Sequence, residues 1–392
     1  MLTAKMKDGR RLCLGYEYKK ETLFILREKE EFFCPVCGER VILKLGDKKI
    51  YHFAHRSKSA CREYVENETE THLSGKLQLY QWLKKQKLYV ELEYYDKEIQ
   101  QRPDILFIYN GKKYALEYQC SVIPEEIFKK RTLKYLQNGY TPLWILGGKH
   151  FNQMGSLSSF HFLFLQKTND STFYIPYYSP EKKFFLLQHS IFPYSTKNAI
   201  FQKKIIPIDQ LKIVHLLEPA LQGRLDFKKW RDRQENYKLR FASYPNNGKK
   251  FFLNELYQQG LNLFLMPVEI GLPVPLAFTI LTPLFVWQTY IFLDVFKYKQ
   301  GGNFIYLKEV ENCFDKRIKK GDIQIRQGSF LSNYLQPVNE YLYLLEKLGT
   351  IKRVKQGIFQ LSATINLPKT NMEREEIMNC FYKNNLKTVD RT

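Results

Sequence analysis

The chain has 392 residues, with 61 lysines and arginines against 40 aspartates and glutamates, so its formal net charge is +21. A composition of 44% hydrophobic and 26% charged residues is typical of a globular protein and excludes wholesale disorder. The excess of positive charge indicates an anionic partner, either nucleic acid or a membrane surface. The charge is uneven along the chain. Residues 1–62 and 151–392 are basic, whereas residues 63–150 are nearly neutral, as expected of an enzyme core that carries its own carboxylates.

The targeting and cysteine patterns indicate the compartment. Residues 1–11 mix charged and apolar side chains and contain no apolar run of signal-peptide length. Seven cysteines, two of them in a Cys-Pro-Val-Cys-Gly stretch, favour metal binding in a reducing compartment over disulfides. The uncharged stretch between Glu269 and Asp294 is long enough to span a bilayer, but three prolines interrupt it, which favours buried helices or loops. We therefore expect a cytoplasmic protein with no membrane span.

The first segment, residues 1–62, is predicted to be a β-rich lobe. Its apolar runs are short and are separated by charged or glycine-containing turns, which is the pattern of strands. The predicted strands cover residues 11–16, 22–27, 33–37, 40–44 and 49–53.

Residues 63–165 are predicted to form an α/β domain. The periodicity predicts a helix over residues 66–88, then three strands, then a helix that begins at Pro124, and a last strand over residues 142–146. The three strands are expected at residues 89–94, 105–109 and 114–119. Asn110-Gly111, between the second and third of them, is a signal for a two-residue hairpin.

Residues 166–392 are predicted to form a mainly α-helical C-terminal domain. Aromatic stretches within residues 157–190 could add strands to the preceding sheet, and residues 334–362 indicate a winged-helix-like end. Basic and aromatic side chains recur together, as in Lys297-Tyr298-Lys299. Because lysine attracts the phosphate backbone and aromatic rings stack on unpaired bases, we expect DNA as the partner, and single-stranded DNA in particular.

Five cysteine and histidine residues lie in one short stretch, in the order Cys34, Cys37, His52, His55 and Cys61. Zinc prefers four soft or borderline ligands in a tetrahedron, and a Cys-x-x-Cys knuckle supplies two of them. For the other two we favour His55 and Cys61, because His52 and His55 on an extended segment would point to opposite faces. His52 remains the alternative ligand. A closed zinc site of this kind is structural, and it would let a small lobe fold without a large apolar core.

Two carboxylates are predicted to face each other across the hairpin. If the turn lies at residues 110–111, Asp104 is opposite Glu117, and Glu117 and Gln119 share one face of their strand. Neighbouring carboxylates repel each other unless a cation lies between them, and oxygen ligands suit Mg²⁺ or Mn²⁺. Such an ion can activate water and hold a scissile phosphate. The competing interpretation is a pair of surface acids balanced by nearby basic side chains.

These residues and this order of elements resemble known families. Pro103-Asp104 and Glu117-x-Gln119 on a hairpin, after an acid-led helix, resemble the PD-(D/E)xK nuclease core, which implies a restriction-endonuclease-like fold. The wider set of motifs resembles the competence protein CoiA family. This set is Cys-Pro-x-Cys … His-Phe-Ala-His … Cys (34–61), His72-x3-Lys76, Arg-Pro-Asp (102–104), Glu-Tyr-Gln-Cys-Ser (117–121) and Gly-Tyr-x-Pro-x-Trp-Ile-Leu (139–146). The resemblance is strong over residues 1–150. It implies a cytoplasmic protein of natural transformation that processes incoming single-stranded DNA for recombination, and a nuclease fold.

One position departs from the nuclease pattern, which has lysine where this chain has Gln119. A lysine there supplies charge that orients the attacking water and stabilises the phosphate, whereas glutamine supplies only hydrogen bonds. The missing charge could come from Lys76 or from the basic run at residues 129–131. On the same helix as Lys76, we predict Glu70 as an accessory acid. His72 is either a catalytic group or a structural hydrogen-bonding residue.

Three functions are compatible with these patterns. The first is a metal-dependent nuclease that hydrolyses phosphodiester bonds in DNA and uses Asp104 and Glu117. The second is a non-catalytic DNA-binding or recombination-mediator protein with a remnant nuclease fold, which the glutamine at position 119 favours. The third is a zinc scaffold that recruits proteins of the recombination pathway.

Overall fold

The computed structural model describes residues 1–46, 49–56, 61, 68–148, 150, 157–170, 172–223, 225–244, 246–326 and 333–389, except for the side chains of residues 247, 382 and 384–389. The described residues divide into two compact units. The first unit takes in residues 1–155, 163–188 and 203–221, and the second takes in residues 156–162, 189–202 and 222–392. Among the described helices, none combines the length and the hydropathy that crossing a membrane requires.

The N-terminal lobe is a five-stranded sheet, which confirms the predicted β-rich segment. Its strands follow the spatial order β2-β1-β3-β4-β5, and every neighbouring pair is antiparallel. They are β1 (Thr3–Met6), β2 (Arg11–Cys13), β3 (Phe32–Phe33), β4 (Arg40–Lys44) and β5 (His52–His55).

The prediction of a strand at residues 22–27 is wrong, because these residues belong to helix α1 (Lys20–Lys29). Only Leu23 is buried in this helix, and Arg27 stacks over the ring of Phe24, three positions away, at 4.6 Å. Contacts between side chains three positions apart form on a helix and not on a strand. A short apolar run by itself does not distinguish the two, which accounts for the error.

The next six elements follow the predicted order of helix, three strands, helix and strand. They are α2 (Glu70–Lys85), β6 (Tyr89–Leu92), β7 (Ile105–Tyr109), β8 (Lys112–Gln119), α3 (Glu125–Gln137) and β9 (Tyr140–Leu146). Strands β6, β7 and β8 are antiparallel neighbours, whereas β9 pairs with β8 in parallel. A parallel neighbour needs a long crossover connection, and α3 provides it. This region is therefore mixed α/β, as predicted.

The hairpin between β7 and β8 has the predicted register. Asn110 and Gly111 both have positive φ, 47° and 73°, as the two-residue turn that matches strand twist requires. Tyr109 pairs with Lys112, and the ladder continues to Ile105 opposite Leu116. The next position on each side holds the two predicted carboxylates, so the register brings Asp104 and Glu117 to the same end of the hairpin.

Four more strands extend this sheet, and the aromatic stretches within residues 157–190 predict the earlier ones but not the last. They are β10 (Gln166–Lys167), β11 (Phe173–Ser179), β12 (Phe184–Pro193) and β13 (Ala199–Pro207), with the short helices α4 (Ser159–Phe162) before them and α5 (Ile213–Leu217) after them. The eight strands lie in the order β13-β12-β11-β9-β8-β7-β6, with β10 beside β11. The predicted boundary at residue 165, as a limit of separately folding domains, stays a prediction.

The second unit is mainly helical, as predicted. Its longer elements are α6 (Phe227–Ser243), α7 (Asn247–Gln258), α8 (Leu284–Ile291, continued by one π-helical turn over Phe292–Phe296), α9 (Leu307–Lys320), α10 (Gln336–Lys347) and α11 (Asn371–Val389). A small antiparallel sheet of β14 (Phe304–Tyr306), β15 (Ile351–Lys355) and β16 (Ile358–Leu361) accompanies them. Every residue of the α-helical part, Leu284–Ile291, is buried, so the uncharged stretch before Asp294 forms core, as predicted.

Candidate active site and metal centres

The start of helix α2 places three functional side chains in one row. The hydroxyl of Thr69 caps the helix by accepting a hydrogen bond from the backbone N–H of His72, at 3.2 Å. Glu68, His72 and Lys76 are four positions apart and therefore lie on one face of this segment. The neighbouring apolar stripe is buried, so packing of the helix fixes the direction of the row.

Lys76 lies at the centre of a group of carboxylates. Its side chain is 1% exposed, and its Nζ lies 2.6 Å from Oε1 of Glu93 and 3.4 Å from Oδ1 of Asp104. It also forms an ion pair with Glu68. Burial lowers the pKa of Lys76, but the three carboxylates outweigh burial and hold this pKa above its ordinary value. Lys76 is therefore a permanent cation beside Asp104.

Glu93 is a buried anchor that the sequence analysis missed. It is 1% exposed and has a positive φ of 50°, directly after β6. Its Oε2 accepts hydrogen bonds from the backbone N–H groups of Leu2 and Thr3, at 2.8 and 3.0 Å. Burial raises the pKa of Glu93, but Lys76 outweighs burial and the pKa is lowered. Its partners are distant in sequence, so no local pattern could have identified it.

Asp104 is held at the point where the β7–β8 ladder ends. Its Oδ2 accepts a hydrogen bond from the backbone N–H of Tyr118 at 2.9 Å and lies 3.4 Å from Nε2 of His72. Burial raises the pKa of Asp104, but Lys76 and then His72 outweigh it, so the pKa lies well below its ordinary value. The carboxylate is therefore ionised at neutral pH.

Glu68, His72 and Asp104 can together hold a metal ion. One ligand atom from each lies within 4.8 Å of the others, and all three side chains are partly exposed. Lys76, and then the amino group of Met1, lower the pKa of Glu68 against the effect of burial. Glu70 lies outside this group among the described residues, and its carboxylate accepts a hydrogen bond from the backbone N–H of Ile50 at 3.1 Å.

Glu117 contacts two side chains of helix α3. It is almost fully buried, and its Oε1 lies 2.5 Å from Nη2 of Arg131 and 2.6 Å from the hydroxyl of Tyr135, both on α3. Within the described residues, the group of possible metal ligands around Asp104 does not include Glu117. The amide of Gln119 donates to the backbone oxygen of Ser121 at 3.0 Å.

One cavity of about 1010 Å³ in the first unit joins these groups. Its lining includes Glu68, His72, Asp104, Glu117, Gln119 and Arg131, together with the basic residues Lys49, Arg102 and Lys130. Carboxylates that suit a cation therefore share one cavity with side chains that suit a phosphate.

The cysteine and histidine residues of the N-terminal lobe form a second cluster. Ligand atoms of Cys34, Cys37, His55 and Cys61 lie within 4.8 Å of one another. Sγ of Cys37 is 3.4 Å from Nε2 of His55, and two ligands of a tetrahedral zinc ion keep about the same separation, ~3.5 Å. The backbone N–H of Val36 points to Sγ of Cys34 at 3.4 Å, as a Cys-x-x-Cys knuckle requires. A Cys₃His set of this kind can bind zinc.

His52 lies outside the described Cys₃His cluster. Along β5, burial alternates, with His52 half-buried and His55 buried. Nδ1 of His52 is instead 2.8 Å from the backbone oxygen of Ile50. Burial lowers the pKa of His55, which favours the neutral imidazole that a metal ligand needs.

Comparison with known proteins gives independent evidence on the family. Models of the CoiA family match three successive segments: the N-terminal domain at residues 15–64, the nuclease-like domain at residues 68–221 and the C-terminal domain at residues 225–374. The chain belongs to the competence protein CoiA family. Competence protein CoiA of Bacillus subtilis (strain 168) is 29% identical over 350 residues, which cover 86% of this chain and 91% of that protein. No solved structure matches the chain.

Four of the five motifs that suggest the CoiA family contribute residues to the lining of the cavity. His72, Asp104, Glu117 and Gln119 all line it, and the nuclease-like match begins at residue 68, where the metal-ligand group also begins. From the sequence, Arg131 is only one possible source of positive charge, and its pairing with Glu117 is not predicted. The signal that could have found it is its spacing on α3, where Arg131 and Tyr135 are four positions apart on one face.

Proposed function

We propose that this CoiA-family protein is a metal-dependent nuclease that processes incoming single-stranded DNA for recombination during natural transformation. The observation that carries the proposal is the grouping of Glu68, His72 and Asp104 within 4.8 Å, with the buried cation of Lys76 beside them. A Cys₃His cluster that can bind zinc agrees with the reducing cytoplasm as the place of action.

The topology supports a PD-(D/E)xK, restriction-endonuclease-like core. The order helix, three antiparallel strands, helix and parallel strand is the one expected from that resemblance, and the hairpin carries the acidic motif. Both predicted carboxylates lie at the same end of the hairpin and line one cavity.

Lys76 supplies the charge that glutamine at position 119 lacks. In the nuclease pattern the lysine stands two positions after the acid on the same strand, and here the cation reaches Asp104 from α2 instead. A positive charge fixed beside the site stabilises the negative charge that develops on a phosphate during hydrolysis. We therefore assign to Lys76 the role of the motif lysine.

The donor set suits a divalent cation. Glu68 and Asp104 offer carboxylate oxygens and His72 offers an imidazole nitrogen, a mixture that suits Mn²⁺ at least as well as Mg²⁺. When bound, such an ion would lower the pKa of a water molecule and neutralise a phosphate oxygen. Glu93 is buried away from the solvent, so its role is to hold Lys76 in place through their ion pair.

Arg131 and Glu117 form the phosphate-facing wall of the cavity in this proposal. The side chain of Arg131 is 26% exposed, whereas the side chain of Glu117, which it contacts, is 4% exposed. An arginine in this position can bind a phosphate through two parallel N–H groups. Glu117 then orients Arg131 toward the DNA backbone.

A non-catalytic DNA-binding or recombination-mediator protein is the second candidate. The engagement of Glu117 by Arg131 and Tyr135 favours it, because a second motif acid held in this way is less accessible to a metal ion. In this alternative the cavity binds DNA without cutting it.

Cleavage of a labelled single-stranded oligonucleotide in the presence of Mn²⁺ tests the proposal. We expect Asp104→Asn to abolish cleavage, because the substitution removes the negative charge that a metal ion needs. The amide oxygen can still accept the hydrogen bond from the backbone N–H of Tyr118, so the local fold should be kept. Asp209→Asn, at an exposed position of the first unit, is the matched control and should cut as the wild type does. Equal cleavage by the Asp104→Asn protein, or normal transformation by a strain that carries it at normal abundance, would contradict the nuclease function.

A further inference from the structure

The most exposed aromatic side chains of the described residues gather in one place. Five large apolar side chains exceed 70% exposure: Tyr244 at 78%, Phe251 at 72%, Tyr257 at 84%, Tyr298 at 77% and Met372 at 74%. Phe251 and Tyr257 belong to helix α7. Tyr244 precedes this helix in the chain, and Tyr298 contacts Gln259, the residue that follows its last turn. Exposing large rings in this way is costly unless they meet a partner.

Helix α7 has two clearly different faces. Phe252 and Leu256 are buried in the core of the second unit. The opposite face carries Lys250, Phe251 and Tyr257, each of them exposed. Asn254, three positions from both aromatic residues, is exposed on the same stripe. The rings of Phe251 and Tyr257 therefore take no part in the core of the second unit.

The stripe continues past both ends of the helix. At the N-terminal end, Nζ of Lys249 donates to the backbone oxygen of Tyr244 at 3.0 Å. At the C-terminal end, the hydroxyl of Tyr298 and Nζ of Lys297 both donate to Oε1 of Gln259, at 3.2 and 2.6 Å. The ammonium group of Lys297 also lies 5.2 Å from the centre of the Tyr298 ring. We call this surface the α7 platform, consisting of Tyr244, Lys250, Phe251, Tyr257, Lys297 and Tyr298.

The charge of the α7 platform is positive. The acid within the helix is Glu255, whose carboxylate is paired with the guanidinium of Arg317 at 2.7 Å. Lys250 and Lys297 are not opposed by a carboxylate of this helix on the exposed stripe, where Asn254 is neutral. Exposed rings therefore alternate with cations along one edge of the second unit.

We propose that the α7 platform binds single-stranded DNA, with unpaired bases stacked on the rings and phosphates held by the lysines. Stacking on aromatic side chains together with a cationic groove is the recognition mode of sequence-independent single-strand binders. A protein partner is a poorer fit, because lysine is depleted at the centres of protein interfaces. Phe251 and Tyr257 are separated by about 9 Å along the helix axis, so they can serve different bases of one strand. The choice of DNA rests on the proposed function.

Fluorescence anisotropy of a labelled oligothymidine with the full chain tests the inference. Binding is measured without added divalent metal ion, because the proposed cleavage requires one and the oligonucleotide then stays intact. We expect Phe251→Ala/Tyr257→Ala to weaken binding about tenfold or more. Lys250→Ala/Lys297→Ala should reduce the slope of log affinity against log salt by about 0.7 for each lysine. Tyr343→Ala, which removes another exposed tyrosine with a lysine over its ring, is the matched control and should bind as the wild type does.

A tryptophan at position 257 gives a second readout. The four native tryptophans, Trp82, Trp144, Trp230 and Trp287, are all buried. The indole of Tyr257→Trp would therefore be distinct in exposure, and a stacked thymine should quench it while affinity is retained.

Three results would overturn the inference. They are wild-type affinity in the Phe251→Ala/Tyr257→Ala protein, an unquenched indole at position 257 in a protein that binds the oligonucleotide, and a change from dimer to monomer in the alanine variant with DNA binding intact. The last result would assign the α7 platform to a second copy of the chain. Failure of the α7 platform leaves the cleavage test of Asp104→Asn untouched, and failure of that test leaves these binding measurements untouched.

Discussion

Lys76 holds its ammonium nitrogen 3.4 Å from Oδ1 of Asp104, although one residue lies on helix α2 and the other precedes strand β7. The same ammonium contacts Glu93 at 2.6 Å, so a single buried cation ties the helix to two separate parts of the sheet region. Lys76 is thus a structural element and the charged neighbour of the proposed metal-binding group at the same time.

Replacement of Lys76 by methionine should strongly destabilise the first unit. The change leaves Glu93 and Asp104 buried without their cation, and breaking a buried ion pair in this way costs about 3–5 kcal/mol. Urea unfolding of the full chain measures the loss. Lys84→Met, at an exposed position of the same helix, should change stability by less than about 0.5 kcal/mol. Similar unfolding midpoints for the two variants would show that Lys76 is not a structural centre.

Alanine at position 75 should destabilise the protein although alanine favours helices. A Cβ atom at Gly75 would overlap the ring of Tyr118, whose backbone N–H positions Asp104. Overpacking of this kind costs about 1–3 kcal/mol and should also lower the activity of the site. Gly248→Ala is the control, because a Cβ there would meet Oδ1 of Asn246 at 4.0 Å, an ordinary van der Waals contact, and a gain of up to about 1 kcal/mol is expected. Thermal unfolding distinguishes the two directions.

Zinc content should depend on His55 and not on His52. His55→Ala and Cys34→Ser each remove a ligand of the Cys₃His cluster, so purified protein should lose its zinc, and the N-terminal lobe should become sensitive to proteolysis. His52→Ala and Cys380→Ser, which lie outside the cluster, should keep one zinc ion per chain by elemental analysis. Retention of zinc by His55→Ala together with its loss in His52→Ala would reverse the assignment.

Glu340 should make the second unit less stable as the pH rises. Burial raises its pKa from 4.5 to about 7, while the backbone N–H of Leu276 donates to its Oε2 at 3.1 Å. The folded state therefore binds this proton more tightly than the unfolded state, so stability falls between about pH 4.5 and pH 7 and the loss is complete above that window.

Replacing Glu340 by glutamine should remove this loss, since the amide keeps the acceptor without the charge. We expect a gain of about 1–3 kcal/mol near pH 8 and almost none below about pH 4.5, measured by urea unfolding. Glu376→Gln, at an exposed position, is the control for the removal of one negative charge. A gain that is independent of pH would contradict the titration of Glu340.

The features that depend on neighbouring residues could be predicted before the fold was known. Asn110-Gly111 determined the hairpin and its register, because positive φ at two successive residues is cheap for this pair. The Cys34-x-x-Cys37 knuckle and the order of elements between residues 70 and 146 were equally local. The strand predicted for residues 22–27 proved to be a helix, because a short apolar run fits both structures.

By itself, then, the sequence indicated the family, the β-rich lobe, the α/β order, the residues of the Cys₃His cluster and the end of the hairpin where the acids meet. Only the tertiary structure decided which charges share a site. In the folded chain Lys76 lies beside Asp104 and forms an ion pair with the buried Glu93, and Glu117 forms an ion pair with Arg131. The physical reason is that pairing among buried charges depends on which distant elements pack together, and a side chain leaves water only where a partner offsets the loss of hydration.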